Sequence, residues 1–330
     1  QETAKYTPRH KKEVLINRQE EAMKIVVGIP CYNEEMTIAK VVSDFREVLP
    51  EAEVIVMDNC STDRSATYAR RAGATVLPVL RKGKGNVVRE IFRRIDADIY
   101  VMVDGDDTYP AEAVRDLLRP VLSGTADMVV GDRLSGGRYA AENRRPFHNF
   151  GNDLVCRLVN AAFGSSLKDI MSGYRVFSRR FTQVVPILSD GFEVETEMTI
   201  AALDRKLPLV EIPVAYRDRP AGSHSKLHTF RDGFRVLKTI FIVVKDYRPL
   251  FFFGALSLVA FVVGLASGLP VIFEFLKTRY ITLVPSAIFA TGCMLLAATL
   301  LSCGLILDSV SKYHRERNEM DVVRKRSTLR

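Results

Sequence analysis

Two long apolar runs near the C-terminus set the strongest limit on how this chain can fold. They cover residues 250–273 and 281–307, and neither contains a charged side chain. Each run exceeds the roughly 20 apolar residues that an α-helix needs to cross the hydrocarbon core of a bilayer. A short connection, residues 274–280, separates them. The runs therefore predict a membrane-spanning helical hairpin, in preference to a pair of buried core helices.

The distribution of basic residues predicts the orientation of this hairpin. Lys and Arg are frequent in 231–248 and 312–330, whereas the connection carries only Lys277 and Arg279. The positive-inside rule then places both termini, and everything before the hairpin, in the cytoplasm. We expect the hairpin to lie in the inner (plasma) membrane. In 229–248, apolar residues recur at three- and four-residue spacings among basic ones, which indicates an amphipathic helix at the membrane interface rather than one facing a core.

Residues 24–130 alternate between strand-like and helix-like patterns. This alternation predicts an α/β fold with a mainly parallel sheet covered on both faces. We expect a polar leader over 1–22, a cytoplasmic domain over 23–228, the amphipathic helix over 229–248, two transmembrane helices within 249–308 and a basic tail over 309–330. The leader has no apolar stretch, so it is not a secretory signal peptide. The predicted strands are 24–29, 53–57, 75–80, 99–103 and 128–130, and the predicted helices are 37–48, 63–72, 85–95 and 111–122.

Three carboxylates follow the predicted strand 99–103, namely those of Asp104, Asp106 and Asp107 around Gly105. Ligands of open α/β sheets bind just beyond the carboxyl ends of strands. Alternation along an extended segment puts Asp104 and Asp106 on the same side, where both can reach one hard divalent cation. Taken alone, this run fits a solvated acidic turn equally well.

Further polar clusters follow the other predicted strands, at 30–35, 58–63 and 81–85. Any one of them could be ordinary turn and capping chemistry. Together at one sheet edge they supply the mixture of acceptors, cations and an aromatic ring that a nucleoside diphosphate needs. No GxxxxGK[ST] or GxGxxG pattern occurs, so neither a P-loop nor a dinucleotide site is supported.

Composition narrows the partners and the compartment. The chain has 47 Lys and Arg against 39 Asp and Glu, a net charge of +8 that suits nucleic acid, anionic membranes or phosphorylated ligands. The cations concentrate beside the apolar runs and the phosphate-type clusters, so we do not expect nucleic-acid binding. The five cysteines lack metal-site spacing and indicate reduced thiols.

Seven segments together resemble family 2 glycosyltransferases. Three of them narrow the resemblance to the polyprenyl-phosphate glycosyltransferases, the group that contains dolichol-phosphate mannose synthases, and the hairpin resembles their bacterial membrane-anchored branch. This resemblance implies a GT-A fold, a nucleotide-sugar donor, a polyprenyl phosphate acceptor, Mg²⁺ or Mn²⁺, and a homo-oligomer. The general segments are 29–35, 58–63, 82–85 and 104–106, and the narrower ones are 131–133, 169–175 and 219–226.

The resemblance also implies roles for individual residues. Asp104 and Asp106 would hold the metal, with Asp107 or water as a further ligand, because Thr108 stands where mannose synthases often have Gln. The implied catalytic residues are Asp104, Asp106, Arg175 and Lys226. The nucleotide-sugar site would comprise Pro30, Tyr32, Glu34, Asp58, Lys84, Asp104, Gly105, Asp106 and Arg219. The acceptor phosphate would meet Arg133, Arg175 and Arg145, or Arg144 in place of Arg145.

The expected reaction is an inverting transfer of one sugar. A lipid monophosphate is largely dianionic near neutral pH, so it needs no strong general base. UDP-glucose or UDP-N-acetylglucosamine is the expected donor, and GDP-mannose is the alternative. A processive polysaccharide synthase is a rival, although the chain has no Trp for that class's Gln-x-x-Arg-Trp motif. A non-enzymatic membrane scaffold is the second rival.

Two segments have less certain roles. Residues 219–226 predict a loop that closes over both phosphates, with a plain linker as the alternative. In the acidic segment 191–197, Glu197 is expected to serve as a cap and scaffold, while the roles of Glu193 and Glu195 stay open.

Overall fold

The computed structural model describes residues 23–135, 146–217, 219, 241, 244–245 and 248–328, with side chains left out at 146–152, 314–315 and from 318 onward. The chain forms two compact units, which divide between Leu237 and Lys238. The predicted leader and most of the predicted amphipathic helix lie outside the described residues.

A seven-stranded, mainly parallel sheet forms the centre of the N-terminal unit, as the sequence predicted. The strand order is β3-β2-β1-β4-β6-β5-β7, and only β6 runs antiparallel to its neighbours. The strands β6 and β7 were not predicted. The seven strands are β1 Ile25–Cys31, β2 Glu53–Asp58, β3 Thr75–Pro78, β4 Ile99–Met102, β5 Met128–Asp132, β6 Arg175–Ser178 and β7 Leu209–Pro213.

Helices cover both faces of this sheet. Along β1, Val27 belongs to one buried cluster and Val26 to the other, because successive side chains of a strand point to opposite faces. Phe45 joins the first cluster and Ile91 the second. The helices are α1 Ile38–Val48, α2 Ser65–Arg71, α3 Lys84–Arg94, α4 Val114–Leu122, α5 Pro146–Phe163, α6 Arg179–Val184 and α7 Val194–Asp204, with a 3-10 turn at Ala111–Ala113.

The strand register brings the predicted polar clusters to one edge. Cys31 at the end of β1 pairs with Asp58 at the end of β2, and β4 runs parallel to β1 on its other side. Because β6 is antiparallel, its first residue, Arg175, pairs with Met102 at the carboxyl end of β4. The segment that precedes β6 therefore arrives beside the acidic run that follows β4.

The C-terminal unit is a helical hairpin of α8 Pro249–Thr278 and α9 Val284–Thr328. Both helices are long and apolar enough to cross a membrane, and only 11 % and 17 % of their most apolar stretches are buried within the protein. Buried core helices would be mostly covered. Ser257 Oγ donates to the Ala297 carbonyl at 2.7 Å. The hairpin was predicted, but α9 continues well beyond residue 307, through the basic segment.

Candidate active site

The two predicted metal-binding carboxylates lie just beyond β4. Asp106 is 4 % exposed, and its Oδ1 accepts a hydrogen bond from Thr108 Oγ1 at 2.6 Å. Burial raises the pKa of the Asp106 carboxyl and Asp104 adds to the rise, whereas Arg219 and Thr108 oppose it. Thr108, the residue that departs from the mannose synthase pattern, thus orients Asp106.

Lys84 forms an ion pair with Asp104. Its Nζ lies 2.5 Å from Asp104 Oδ1 and 2.6 Å from Glu195 Oε1, and its side chain is 10 % exposed. Burial by itself would lower the pKa of Lys84, but the two carboxylates outweigh it and raise that pKa. Lys84 is therefore a charged ammonium held between two carboxylates.

The glycines around Lys84 serve close packing. The Gly85 N–H donates to the Asp190 and Gly191 carbonyls, both at 3.1 Å. A Cβ added at Gly83 or Gly85 would collide with the backbone of residues 189–190. The absence of side chains lets α3 begin against this segment, and this contact fixes where Lys84 stands.

Arg219 pairs with the second carboxylate, its Nη2 lying 2.5 Å from Asp106 Oδ2. The chain after β7 runs beside the acidic turn, since the Arg217 N–H donates to the Thr108 carbonyl at 2.8 Å. Each of the two carboxylates is therefore paired with a basic side chain from a different segment.

These residues fit a hard divalent cation that also binds phosphate. Two carboxylates plus water and substrate phosphates are a common Mg²⁺ set, and both carboxylates already face cations here. Gly173 lies against the Asp104 carboxylate, and a Cβ added there would collide with it. Within the described ranges, no three acidic, His or Cys side chains group as a metal site.

Asp107 does not join the pair. Its φ of 59° turns the chain, and its Oδ1 accepts from Lys40 Nζ of α1 at 2.8 Å. Asp107 therefore pairs with Lys40 in this structure, and the choice between Asp107 and water as a further metal ligand stays a prediction.

The expected nucleoside residues gather where β1 and β2 end. Lys82 Nζ lies 5.3 Å from the centroid of the Tyr32 ring. The Glu34 N–H donates to Ser65 Oγ at 2.7 Å, and the Ser61 N–H donates to Asp58 Oδ1 at 3.2 Å. Side chains of the cluster at 58–63 thus form hydrogen bonds that stabilise turns. They hold the loops that carry Tyr32, Glu34 and Asp58, next to Pro30 in β1.

Gly105 lies in the acidic turn, between Asp104 and Asp106 in sequence. Its carbonyl accepts from Thr37 Oγ1 at 2.7 Å, and a Cβ at this position would lie 3.2 Å from Ile38 Cδ1. The glycine thus lets the acidic turn approach the start of α1.

Arg133, one of the expected acceptor residues, is bound to Asp169. Its Nε and Nη2 lie 2.7 Å and 2.8 Å from the two carboxylate oxygens, and Asp169 is fully buried. Burial by itself would raise the pKa of Asp169, but Arg133 outweighs it and holds that pKa below its usual value. The pair ties the segment before β6 to the end of β5.

Arg175 lies beneath the site and not in it. Its side chain is fully buried and donates to the Ser172 and Ile170 carbonyls and to Thr199 Oγ1, at 2.7–2.8 Å. Burial lowers the pKa of this guanidinium to about 10. In this structure these bonds use the guanidinium to hold the 170–175 turn, and the expected contact with a phosphate stays a prediction. Arg145 and Lys226 lie outside the described residues.

Two glutamates at the start of α7, Glu195 and Glu197, have different roles. Glu197 accepts from the Leu188 and Ser189 N–H groups at 2.8 Å and 2.9 Å, which is the scaffold role predicted for it. Glu195 instead joins Lys84, and burial raises the pKa of its carboxyl. The sequence left Glu195 open, since its spacing from neighbouring acids does not reveal a partner more than 100 residues away.

Comparison with known proteins shows the family. Residues 26–185 match the family described as Glycosyl transferase family 2. The chain is 35 % identical over 293 residues to Glycosyltransferase AglJ of Haloferax volcanii, which covers 88 % of this chain and 95 % of that protein. It is 30 % identical to a dolichyl-phosphate hexose transferase of the same organism, over 68 % of this chain and 95 % of the relative.

A solved structure shares the fold. Glucosyl-3-phosphoglycerate synthase from Mycobacterium tuberculosis, in complex with Mn²⁺, UDP-glucose and phosphoglyceric acid, aligns with a TM-score of 0.55 at 23 % identity, over 74 % of this chain and 85 % of that one. The fold, the paired carboxylates at the sheet edge and the relatives point to the same family. One of those relatives is matched along nearly its whole length. The chain is a glycosyltransferase of family 2, in the group whose members include polyprenyl-phosphate enzymes.

Proposed function

We propose that this protein transfers one sugar from a nucleotide-sugar to a polyprenyl phosphate at the cytoplasmic face of a membrane, with inversion at the anomeric carbon. The observation that carries the proposal is the pairing of Asp104 with Lys84 and of Asp106 with Arg219. Carboxylates for a cation and bases for a diphosphate stand together at the sheet edge where such ligands bind.

The donor diphosphate would lie between these groups. Asp104 and Asp106 would hold Mg²⁺ or Mn²⁺, which neutralises charge on the leaving diphosphate. Lys84 and Arg219 donate to phosphate oxygens, while Tyr32, Glu34 and Asp58 bind the nucleoside. Lys226 would assist from the 219–226 loop. This arrangement stabilises the charge that grows as the sugar–phosphate bond breaks.

The acceptor supplies its own nucleophile. A phosphate oxygen of the lipid forms the new bond to the anomeric carbon, the bond from that carbon to the diphosphate breaks, and a nucleoside diphosphate leaves. No proton needs to be removed, because the lipid phosphate is already ionised. Arg133 and Arg145 orient this phosphate, and Arg175 supports the turn that carries Asp169.

The proposed donor is UDP-glucose or UDP-N-acetylglucosamine, with GDP-mannose as the second candidate. A fold neighbour crystallised with UDP-glucose and Mn²⁺ supports the first choice. The relative named for dolichyl phosphate and hexose supports both the lipid acceptor and a six-carbon sugar. The two apolar helices support an acceptor that resides in a bilayer.

The test is sugar transfer to lipid by the purified full chain. The protein in detergent receives undecaprenyl or dolichyl phosphate, Mn²⁺ and one radiolabelled UDP- or GDP-sugar at a time, and label is measured after organic extraction. We expect one sugar to enter the lipid and chelation by EDTA to stop it. Asp106→Asn should reduce the rate at least about 100-fold, as expected for loss of a group that stabilises the transition state.

The matched control is Asp107→Asn, one residue away, whose carboxylate pairs with Lys40. It should keep the rate within about threefold, since an exposed ion pair contributes little. Absence of label with every sugar, or equal loss in both variants, would contradict the proposed function.

A further inference from the structure

Glu195 is a buried carboxylate whose direct ion pair among the described residues is with Lys84, while the buried guanidinium of Arg175 acts on it at longer range. It is 4 % exposed and lies in the first turn of α7. Its Oε1 lies 2.6 Å from Lys84 Nζ, and its Oε2 has no hydrogen-bond partner in the described part of the chain. Glu197, two residues further along the chain, accepts two backbone N–H groups instead. Glu195 therefore does not hold the local backbone through its side chain.

Burying a carboxylate costs free energy, and that cost has to be offset by other interactions. The penalty for moving a carboxylate out of water is several kcal/mol, and one ion pair offsets only part of it. Lys84 also shares its charge with Asp104, so two carboxylates compete for one ammonium. Because Asp104 alone could pair with Lys84, this ion pair by itself does not explain why Glu195 is buried beside it.

The charges of the cluster suggest an explanation. Lys84 and Arg219 pair with carboxylates directly, and the buried guanidinium of Arg175 acts on Glu195 at longer range, so three cations balance the carboxylates of Asp104, Asp106 and Glu195. A divalent cation and the diphosphate of a nucleotide-sugar carry equal and opposite charges, so binding both leaves this balance unchanged. When a cation takes Asp104, the ammonium of Lys84 loses that partner, and only Glu195 still holds it.

We infer that Glu195 is a positioning residue that retains Lys84 at the edge of the site while Lys84 passes from Asp104 to the donor diphosphate. Before binding, Lys84 bridges Asp104 and Glu195. After binding, it bridges Glu195 and a phosphate oxygen, and Asp104 turns to the cation. This inference rests on the proposed function, because it takes a metal-bound nucleoside diphosphate as the ligand.

The experiment measures binding and not turnover. UDP and GDP, each with Mn²⁺, are titrated by calorimetry into the purified full chain in detergent, as wild type, Glu195→Gln, Lys84→Met and the double variant. We expect each single variant to weaken binding of the preferred nucleotide about tenfold, the loss expected for one charge-assisted hydrogen bond. The double variant should bind no more weakly than Lys84→Met, because Glu195 acts only through Lys84.

Glu193→Gln is the matched control, since Glu193 lies in the same segment and accepts from the Gly191 N–H. It should bind as the wild type does. Wild-type affinity in Glu195→Gln overturns the inference, and so does tighter binding, which would mean that Glu195 acts only as a repelling charge. Additive losses in the double variant overturn it as well, because they indicate a merely structural role.

Two further outcomes separate the possible failures. If Glu195→Gln does not fold, Glu195→Asp takes its place, because the shorter side chain draws the carboxylate away from Lys84; it should weaken binding when Lys84 is present and leave binding unchanged beside Lys84→Met, and wild-type affinity contradicts the inference. If the wild type binds neither nucleotide with Mn²⁺, the proposed function itself fails. If the wild type binds and transfers sugar while Glu195→Gln binds equally well, only the role of Glu195 fails.

Discussion

At the scale of single residues, neighbours in sequence carry out different tasks because the backbone turns between them. Asp106 is buried and faces Arg219, whereas Asp107, at a φ of 59°, faces Lys40 on α1. Glu195 joins Lys84, and Glu197 binds backbone N–H groups. Residue type alone therefore does not assign a role in this site.

Gly173 shows how one missing side chain keeps the site open. A Cβ at this position would collide with the Asp104 carboxylate and lie 3.0 Å from Lys84 Nζ. We predict that Gly173→Ala weakens binding of UDP or GDP with Mn²⁺ at least about tenfold, because Asp104 has to move, with a stability loss of about 1–3 kcal/mol from overpacking.

Calorimetry and thermal unfolding of the same preparation check this prediction. Gly292→Ala is the control, since a Cβ added there meets nothing within 4 Å. Unchanged affinity in Gly173→Ala would show that Asp104 is not confined by this glycine.

At the scale of elements, the antiparallel strand β6 organises the site. In the sheet it lies between β4 and β5 and runs in the opposite direction to both. The turn over 169–174, which precedes it, therefore reaches the acidic run that follows β4. The Arg133–Asp169 pair and the bonds of Arg175 hold this turn from both sides. An element of four residues thus decides which segments meet.

The Arg133–Asp169 pair predicts a pH dependence of stability. The pKa of Asp169 is lower in the fold than its ordinary value of about 3.9, so the pair contributes full stability above that value and loses it as pH falls through the folded pKa. Asp169→Asn should cost about 3 kcal/mol near neutral pH, because it removes the charge of a fully buried carboxylate from its ion pair with Arg133.

The measurement is the difference in melting temperature between wild type and Asp169→Asn, followed by circular dichroism. This difference should shrink as pH falls from about 5 to about 3. A difference that stays constant over this range would mean that the carboxylate charge contributes nothing.

The packing of α8 on α9 gives a second prediction at this scale. A Cβ at Gly264 would lie 3.0 Å from Cys293 Cβ and 3.3 Å from the Ala290 carbonyl, whereas one at Gly292 has open space. Gly264→Leu should lower the melting temperature in detergent, since it forces the helices apart at an estimated cost of about 1–3 kcal/mol. Gly292→Leu should leave it nearly unchanged. Equal effects of the two substitutions would argue against close packing at Gly264.

At the scale of the whole molecule, a polar catalytic unit and an apolar hairpin share one chain. The first carries the charged residues of the candidate site at one sheet edge, and the second has the length and hydropathy of a membrane anchor. Such a division suits an enzyme that joins a soluble donor to a lipid acceptor, as proposed above.

The charge pattern predicts how the hairpin is oriented. Because Lys and Arg concentrate outside the two spans, the C-terminus should lie in the cytoplasm and the connection near residue 280 on the opposite side. In a bacterial host, a green fluorescent protein fused after Arg330 should fluoresce, and alkaline phosphatase inserted at residue 280 should be active. The reverse pattern would contradict the orientation and, with it, the cytoplasmic face of the reaction.

The sequence by itself determined the fold class and which residues are candidates for the site. The periodicity of apolar residues and the local composition predicted the parallel strands, the helices between them and the apolar hairpin, because these patterns depend on local residue order. The position of Asp104, Asp106, Lys84 and the nucleoside cluster after successive strands predicted one shared edge. The resemblance to family 2 glycosyltransferases rested on these same segments, and the comparisons confirmed it.

Only the tertiary structure decided which charged groups meet. Lys84 and Glu195 are 111 residues apart, and no local pattern pairs them. β6 is a short strand whose reversed direction depends on its neighbours, and the burial of Arg175 follows from that placement. Contacts between distant segments depend on how the whole sheet is assembled. The sequence could therefore name Arg175 and Asp107 as site residues, but the fold places one beneath the site and turns the other away from it.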